Sequence, residues 1–402
     1  MPSTVVIVGA GVYGVTAALE LRQRGHRVQL LDPGPLPHPL AASTDISKAI
    51  RLDYGADEDY LALMEIALAQ WRAWNAEWPA PLFDETGMLF LCRAPMRPGD
   101  FEFESYQLLL RRGHHPERLT ASDIAQRYPA WAAGGYGDGY YNPEGGYAQS
   151  GQVMRRLIEQ AVRSGVELCA GQTFERLTIS RNQVTGVVTR QGSRFEGDSV
   201  IIAAGSWMPP MLQSSMPELA NVFRSNGMPV FHLKPARPEL FRAQIFPVFT
   251  ADVTATGYYG FPIHPVDGVI KIANHGSGRA MHPESPERQV TEAETVQLRA
   301  FLSERCPALA EAVITYTRVC LYCDTWDGHF WIARHPELAG LVLATGGSGH
   351  GFKFAPVLGD LIADAVEGRP NAYLHKFRWR PEVRPARSQE AARHQKLVES
   401  GG

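Results

Sequence analysis

Val5-Val6-Ile7-Val8-Gly9-Ala10-Gly11-Val12-Tyr13-Gly14 stands almost at the start of the chain, and its reading decides the fold. Four successive β-branched apolar residues make a strand buried on both faces, as in a parallel sheet. Beyond the glycines, Val12, Val15 and Leu19 share one face of an amphipathic helix. After Gly25 a second strand, Val28-Gln29-Leu30-Leu31-Asp32, ends in an acid eighteen residues past Gly14. Together these form a βαβ unit. Gly9 allows the tight turn, Gly11 lets the backbone approach a pyrophosphate, and Gly14 lets helix pack closely on strand. The phosphates then sit at the helix N-terminus, beside Val12 and Tyr13. Asp32 is placed to accept hydrogen bonds from ribose hydroxyls. The alternative is a glycine-rich turn without a ligand, but helix, second strand and acid all occur where a dinucleotide site requires them. The turn does not by itself separate FAD from NAD.

Outward from this unit, the pattern predicts a helix near residues 58–78 and strands and turns at 86–92 and 135–147. A further helix runs from about Ser150 to Ser164. Val200 to Ala204 is a second wholly apolar strand and leads into Gly205-Ser206-Trp207. Strands follow at Ile245 to Phe249, Tyr258 to Phe261 and Val269 to Ile272, the first held to an edge by Pro247. The strand Leu341 to Ala344 meets a second glycine turn, Gly346-Gly347-Ser348-Gly349, and a helix from about Pro356 to Glu367. The predicted class is α/β (α+β). A Rossmann-type nucleotide domain from 1–82, 149–214 and 331–385 is interleaved with a substrate domain from 83–148 and 215–330. The latter is built on a mixed, largely antiparallel sheet with flanking helices, and 386–402 is a polar tail.

Composition narrows the class. The 402 residues can bury a large cofactor, and 45% apolar with 20% charged residues is ordinary for a globular enzyme. A net charge of −3, with no basic block, argues against nucleic acid as partner. No signal-peptide pattern precedes the first strand, and every apolar run breaks well before the roughly 20 residues of a membrane span. Five scattered cysteines, Cys92, Cys169, Cys306, Cys320 and Cys323, do not suggest a disulfide framework. A reducing, cytoplasmic location is expected.

Several further motifs occur in order: Ser47-Lys48-Ala49-Ile50-Arg51, Ala203-Ala204-Gly205-Ser206-Trp207, Tyr258-Tyr259-Gly260-Phe261-Pro262, Lys271 with His275, Val319-Cys320-Leu321-Tyr322, and Gly349-His350-Gly351-Phe352-Lys353-Phe354. With the N-terminal turn, they make the chain resemble, over nearly its whole length, the D-amino-acid oxidase superfamily of flavoproteins. Within it the chain is similar to monomeric sarcosine oxidase and the fructosyl amino acid oxidases (amadoriases). The resemblance implies FAD, joined through its 8α-methyl to the Cys320 sulfur. A thiolate beside an electron-poor ring is a competent nucleophile. A buried structural cysteine is the alternative. The Cys320/Cys323 pair could be misread as a metal or redox site, but no second Cys/His set completes one, and no metal is expected.

The resemblance also implies that Lys271, in the apolar strand Val269-Ile270-Lys271-Ile272, lies near flavin N5 and promotes reaction with O2; a solvent-reaching edge lysine is the alternative. Arg51 and Lys353 match positions that hold a substrate carboxylate, against an alternative in which Arg51 pairs at the surface with Asp53 or Asp57. Lys48 stands beside the flavin face, where sarcosine oxidase has arginine and fructosyl amino acid oxidases have lysine. Tyr259, His275 and Tyr322 line the substrate cavity, and Ser47, Phe174, Ala204, Gly205, Trp207, Gly347, Gly349, His350, Gly351 and Phe352 complete the flavin site. The expected activity is oxidation of a secondary amine bearing a carboxylate to an imine, with O2 reduced to H2O2. N-methyl amino acids, glycated amino acids, cyclic imino acids and opine-like compounds are all open as substrates, and a monomer is expected. The other readings are a dehydrogenase using a different acceptor, an RNA-modifying flavoprotein, and a non-catalytic dinucleotide module.

Overall fold

A computed structural model of the protein describes residues 2–213, 216–219, 221–276 and 278–383; the expected polar tail at 386–402 lies outside the described residues. The first strand is Thr4–Val8, and it pairs in parallel on both sides, with Ser199–Ile202 and with Arg27–Asp32. Its side chains alternate between two cores. Val5 and Ile7 pack with the helices, while Val6 and Val8 face the opposite layer.

Among the described residues the sheet around this strand has six members. Their order is Trp331–Arg334, Leu341–Thr345, Ser199–Ile202, Thr4–Val8, Arg27–Asp32 and Glu167–Ala170. All neighbours are parallel except the antiparallel Trp331–Arg334 at one edge. Helix Val12–Gln23 packs beside Ala355–Glu367 and Ser150–Arg163 on one face. A three-stranded sheet, Phe174–Ser180, Gln183–Thr189 and Arg194–Glu196, lies over the other, with Val184 and Val187 in the same core as Val6 and Val8.

The glycine turn follows from contact distances. Gly9 has φ +103° and donates its N–H to Leu31 O at 2.7 Å. A Cβ on Gly14 would lie 1.8 Å from Gly9 O, so the helix can sit this close only because that atom is missing. A Cβ on Gly11 would meet nothing nearer than Ser43 Oγ at 3.8 Å, which leaves this side of the turn open.

A larger mixed sheet, of nine strands among the described residues, carries the other half of the molecule. Phe223–Lys234 is its long central member, pairing with Val313–Thr325 on one side and with Ile270–Asn274 and Arg279–Ala280 on the other. The remaining order is Tyr258–Gly260, Val248–Ala251, Met88–Cys92, Asp138–Asn142 and Glu117–Thr120. One expectation is corrected here. The strand placed at Ile245 to Phe249 begins at Val248, after Pro247, and is no edge: it pairs with Met88–Cys92 and with Tyr258–Gly260. Proline lacks the N–H for a central ladder, so the strand starts just beyond it. A small sheet of Lys48–Arg51, Gly145–Ala148 and Phe83–Asp84 completes the surroundings of Lys48 and Arg51.

No helix among the described residues is long and apolar enough to cross a membrane. Gly14→Ala should force the Val12–Gln23 helix off its strand and cost about 2 kcal/mol or more, the scale of overpacking a tight interior. Urea denaturation reads this directly, and an unchanged midpoint would contradict the packing described.

Candidate active site

The parallel strands end in loops at one edge of their sheet, and a cavity of about 380 Å³ runs along these ends. Gly9, Gly11 and Val12, Asp32, Ala204 to Trp207, and Gly347 to Gly349 supply its walls, so all four inner strands contribute. Ligands of open α/β sheets bind at this place. Asp32 Oδ2 accepts from Ala10 N at 2.9 Å and Oδ1 from Gly34 N at 3.1 Å, which fixes the carboxylate at the groove. The open side of Gly11, the helix N-terminus and a wall containing Phe174 and Trp207 fit the phosphates and flat rings of a dinucleotide.

A second cavity of about 90 Å³ lies beyond the far end. Lys48, Tyr322, Gly349 and Phe352 line both cavities, so the groove ends where the pocket begins. Gly349 (φ +82°) is pressed against the pocket's aromatic wall, since a Cβ there would lie 2.5 Å from the Tyr322 ring and 2.9 Å from His275. Tyr259 and Tyr322 bring their hydroxyls to 3.5 Å of each other, and the His275 ring lies 5.8 Å from that of Tyr322. Phe90, Phe101, Val248, Phe249 and Phe261 make the rest largely apolar.

Two cations meet at this pocket on one ring. Arg51 Cζ lies 4.9 Å and Lys353 Nζ 5.0 Å from the centroid of Tyr54, and both side chains line the cavity. Lys353 Nζ donates to Tyr54 OH at 3.1 Å. His350 Nε2 lies 3.0 Å from Gly328 O, which can only accept, so in the neutral ring Nδ1 accepts from Tyr54 OH at 3.0 Å. His350 therefore braces Tyr54 as well as lining the pocket. Asp53, considered above as a surface partner of Arg51, is not at the surface. It is buried and accepts from Tyr140 OH at 2.8 Å, and burial pushes its carboxyl up against the pull of Arg51. Asp57 caps the next helix and pairs with Lys376.

Lys48, Lys271 and Cys320 come together around a residue the sequence did not single out, Asp45. Lys271 Nζ lies 2.7 Å from Asp45 Oδ2 and donates to Ser47 O, with the Phe261 ring 4.8 Å away. Ser47 thus contributes its carbonyl to the lysine, and it lines neither cavity. Lys48 Nζ is 4.0 Å from Asp45 Oδ2 and 3.8 Å from Cys320 Sγ. Burial opposes the Cys320 thiolate, yet Lys48, Arg318 and Lys271 outweigh it and hold the thiol below its ordinary value. Burial pulls Lys271 down to about 8, with Asp45 favouring the ammonium and Lys48 opposing it. Lys271 is not an edge lysine; it is 1% exposed on an interior strand. Neither Lys271 nor Cys320 stands at a cavity wall, where Lys48 is in front of both. Cys320 and Cys323 do not pair. Cys320 packs with Met228 and Tyr322, whereas Cys323 accepts from Thr345 Oγ1 at 3.4 Å on the other face.

Sequence reasoning missed Asp45, Tyr54, His232 and the apolar lining. Tyr54 had a signal, standing three residues after Arg51; a buried acid such as Asp45 has none until its partners are known.

Residues 4–365 match the family described as DAO, FAD dependent oxidoreductase. The chain is 26% identical to L-saccharopine oxidase of Schizosaccharomyces pombe, over 95% of this chain and 94% of that one. It is 28% identical to a monomeric sarcosine oxidase of a Bacillus species, over 91% and 92%. Among solved structures it is similar to the deglycating enzyme fructosamine oxidase (Amadoriase II) of Aspergillus fumigatus, with a TM-score of 0.78, 27% identity and coverage of 95% and 90%.

Arg51→Gln and Lys353→Met should each weaken binding of a small monocarboxylate by about tenfold or more, the worth of one charge-assisted hydrogen bond. Isothermal titration calorimetry with acetate measures it. Equal affinity in all three proteins would remove these cations from the anion site.

Proposed function

This chain belongs to the FAD dependent oxidoreductase family, and from that premise we propose that it oxidises the C–N bond of a secondary amine carrying a carboxylate. The observation that carries the reading is the convergence of Arg51 and Lys353 on Tyr54 at the wall of a pocket that abuts the dinucleotide groove. FAD bound in that groove supplies acceptance of a hydride equivalent from the carbon beside nitrogen. The chain's residues do the rest. Arg51 and Lys353 hold the carboxylate and so fix the reacting carbon at the groove end. Tyr259, Tyr322 and His275 shape the pocket around the neutral amine, and the imine product hydrolyses in water.

The pocket of about 90 Å³ is small, and away from Arg51 and Lys353 it is walled by Phe90, Phe101, Val248, Phe249, Val253 and Phe261. This supports a compact, apolar N-substituted or cyclic amino acid over a sugar-bearing one.

The proposed acceptor is O2, reduced to hydrogen peroxide, with Lys271 supplying positive charge to developing superoxide. One observation favours the second reading, a dehydrogenase with another acceptor: Lys271 lies behind Lys48 and off the cavity walls. Cys320, whose thiol is held acidic by Lys48, is the proposed point of covalent attachment.

Three outcomes follow from this assignment. Lys271→Met should slow reoxidation of reduced flavin by O2 by about a hundredfold or more, measured by stopped flow after anaerobic reduction; survival of the wild-type rate would favour the dehydrogenase. Because the Lys271 ammonium is lost above its pKa, about 8 with the Cys320 thiol free and lower once that sulfur is bonded, the wild-type reoxidation rate should fall as pH rises, with its midpoint at or below that value. Acid denaturation should leave the flavin on the polypeptide in wild type and release it in Cys320→Ala, and free FAD from wild type would rule out the bond.

A further inference from the structure

His232 and Lys271 are direct cross-strand partners on Phe223–Lys234 and Ile270–Asn274, so their side chains project from the same face of the large sheet. Asp45 comes down over both from the loop before Lys48. Its Oδ2 lies 2.7 Å from Lys271 Nζ and its Oδ1 lies 3.4 Å from His232 Nε2. The three side chains are 1%, 2% and 10% exposed for Lys271, Asp45 and His232. One carboxylate therefore stands between two proton carriers with a separate oxygen toward each, at ion-pair distance and without a completed hydrogen bond at His232 Nε2 or Asp45 Oδ2.

The ladder is irregular at this point. His232 faces Tyr316 across the Val313–Thr325 strand, while Leu233 faces Ile314, so Thr315 is left over as a bulge. Bulges re-aim neighbouring side chains. Here the His232 ring comes 4.9 Å from the Tyr316 ring, which is 50% exposed. His232 is thus the member of the trio that adjoins solvent. We propose that Asp45 and His232 form a proton path linking Lys271 to the protein surface.

The path rests on the oxidase reading, in which O2 takes two electrons from reduced flavin and two protons to become hydrogen peroxide. When the Lys271 ammonium gives up one of those protons, a neutral amine remains. A His232 imidazolium passes its Nε2 proton to Asp45 Oδ1, the carboxyl turns about its Cβ–Cγ bond so that this same O–H faces Lys271 Nζ and is donated there, and the imidazole ring turns to take a replacement proton on Nε2 from water beside Tyr316. One proton moves inward, no electrons move along the path, and the three side chains return to their starting states. Around Asp45 stand Lys271, Lys48, His232 and Arg318, with Cys320 and Tyr259 beyond Lys48. Around His232 stand Asp45, Tyr316 and His264. The surplus of cations keeps Asp45 ionised between transfers, with its carboxyl well below the usual range.

The chain has six lysines, Lys48, Lys234, Lys271, Lys353, Lys376 and Lys396, few enough for each ¹⁵Nζ signal to be followed in lysine-labelled protein. With Lys271→Met identifying its signal, Asp45→Asn should move the Lys271 titration down by about one pH unit or more. That readout needs no turnover. His232→Ala should slow reoxidation by about tenfold or more, raise its solvent deuterium isotope effect, and recover with added imidazole. His232→Gln, which keeps the bulk but carries no proton, should be equally slow without recovery. An unmoved Lys271 titration, or a His232→Ala enzyme that imidazole does not rescue, would overturn the path alone. A Lys271→Met enzyme that reoxidises at the wild-type rate overturns the oxidase reading and the path with it.

Discussion

Asp45 is a buried charge that ties the two large sheets together. Its carbonyl accepts from Gly151 N at 2.7 Å and Ser150 Oγ at 2.9 Å, at the start of a helix that packs against the parallel sheet. Its carboxylate holds Lys271 and His232 of the other sheet. One residue thus joins the nucleotide-side scaffold to the strand bearing Lys271. Burying the acid is costly alone, and its partners offset that cost only while the geometry holds, so the pairing also fixes how the sheets meet. The groove and the pocket share Lys48 as a wall because both sheets are held at this point.

Most of the first sheet was legible in the sequence because local signals decide it. Val5 to Val8 had to be a buried strand, and Gly9, Gly11 and Gly14 are each required where their missing Cβ atoms would crowd a neighbour or face the groove. The second sheet was legible only in pieces. Val269 to Ile272 reads as a strand, but nothing within it says that Lys271 faces His232 thirty-nine residues earlier. Pro247 misled for a physical reason, since it forbids a central position for itself and not for the residue after it.

The site divided along the same line. Arg51, Lys353, Tyr259 and Tyr322 belong to recognisable motifs and do share one pocket. Asp45, Tyr54 and His232 act through partners far away in the chain, and no window of sequence contains the pair. Composition held one unused signal. Only six of the thirty-nine basic residues are lysine, and three of them, Lys48, Lys271 and Lys353, lie at this site. Lysine responds to burial by shifting its pKa, whereas arginine stays charged and offers a planar fork. That division fits Lys271 as a proton carrier and Arg51 as a carboxylate clamp.

The charges around Asp45 also make the lysines and the cysteine interdependent. Lys48, Lys271 and Arg318 face one carboxylate and one acidic thiol, and the Cys320 negative charge favours the ammonium on both lysines. A covalent bond at the Cys320 sulfur would remove that negative charge while leaving the three cations in place. Lys271 would then lose its proton more readily, because repulsion from Lys48 and burial would be opposed by one charge fewer. Under the proposed attachment, bonding at Cys320 and the proton affinity of the lysine would be coupled through space by like and unlike charges a few ångströms apart. Asp45 is the strongest influence favouring the Lys271 ammonium, so a residue off the cavity walls governs the charge beside them.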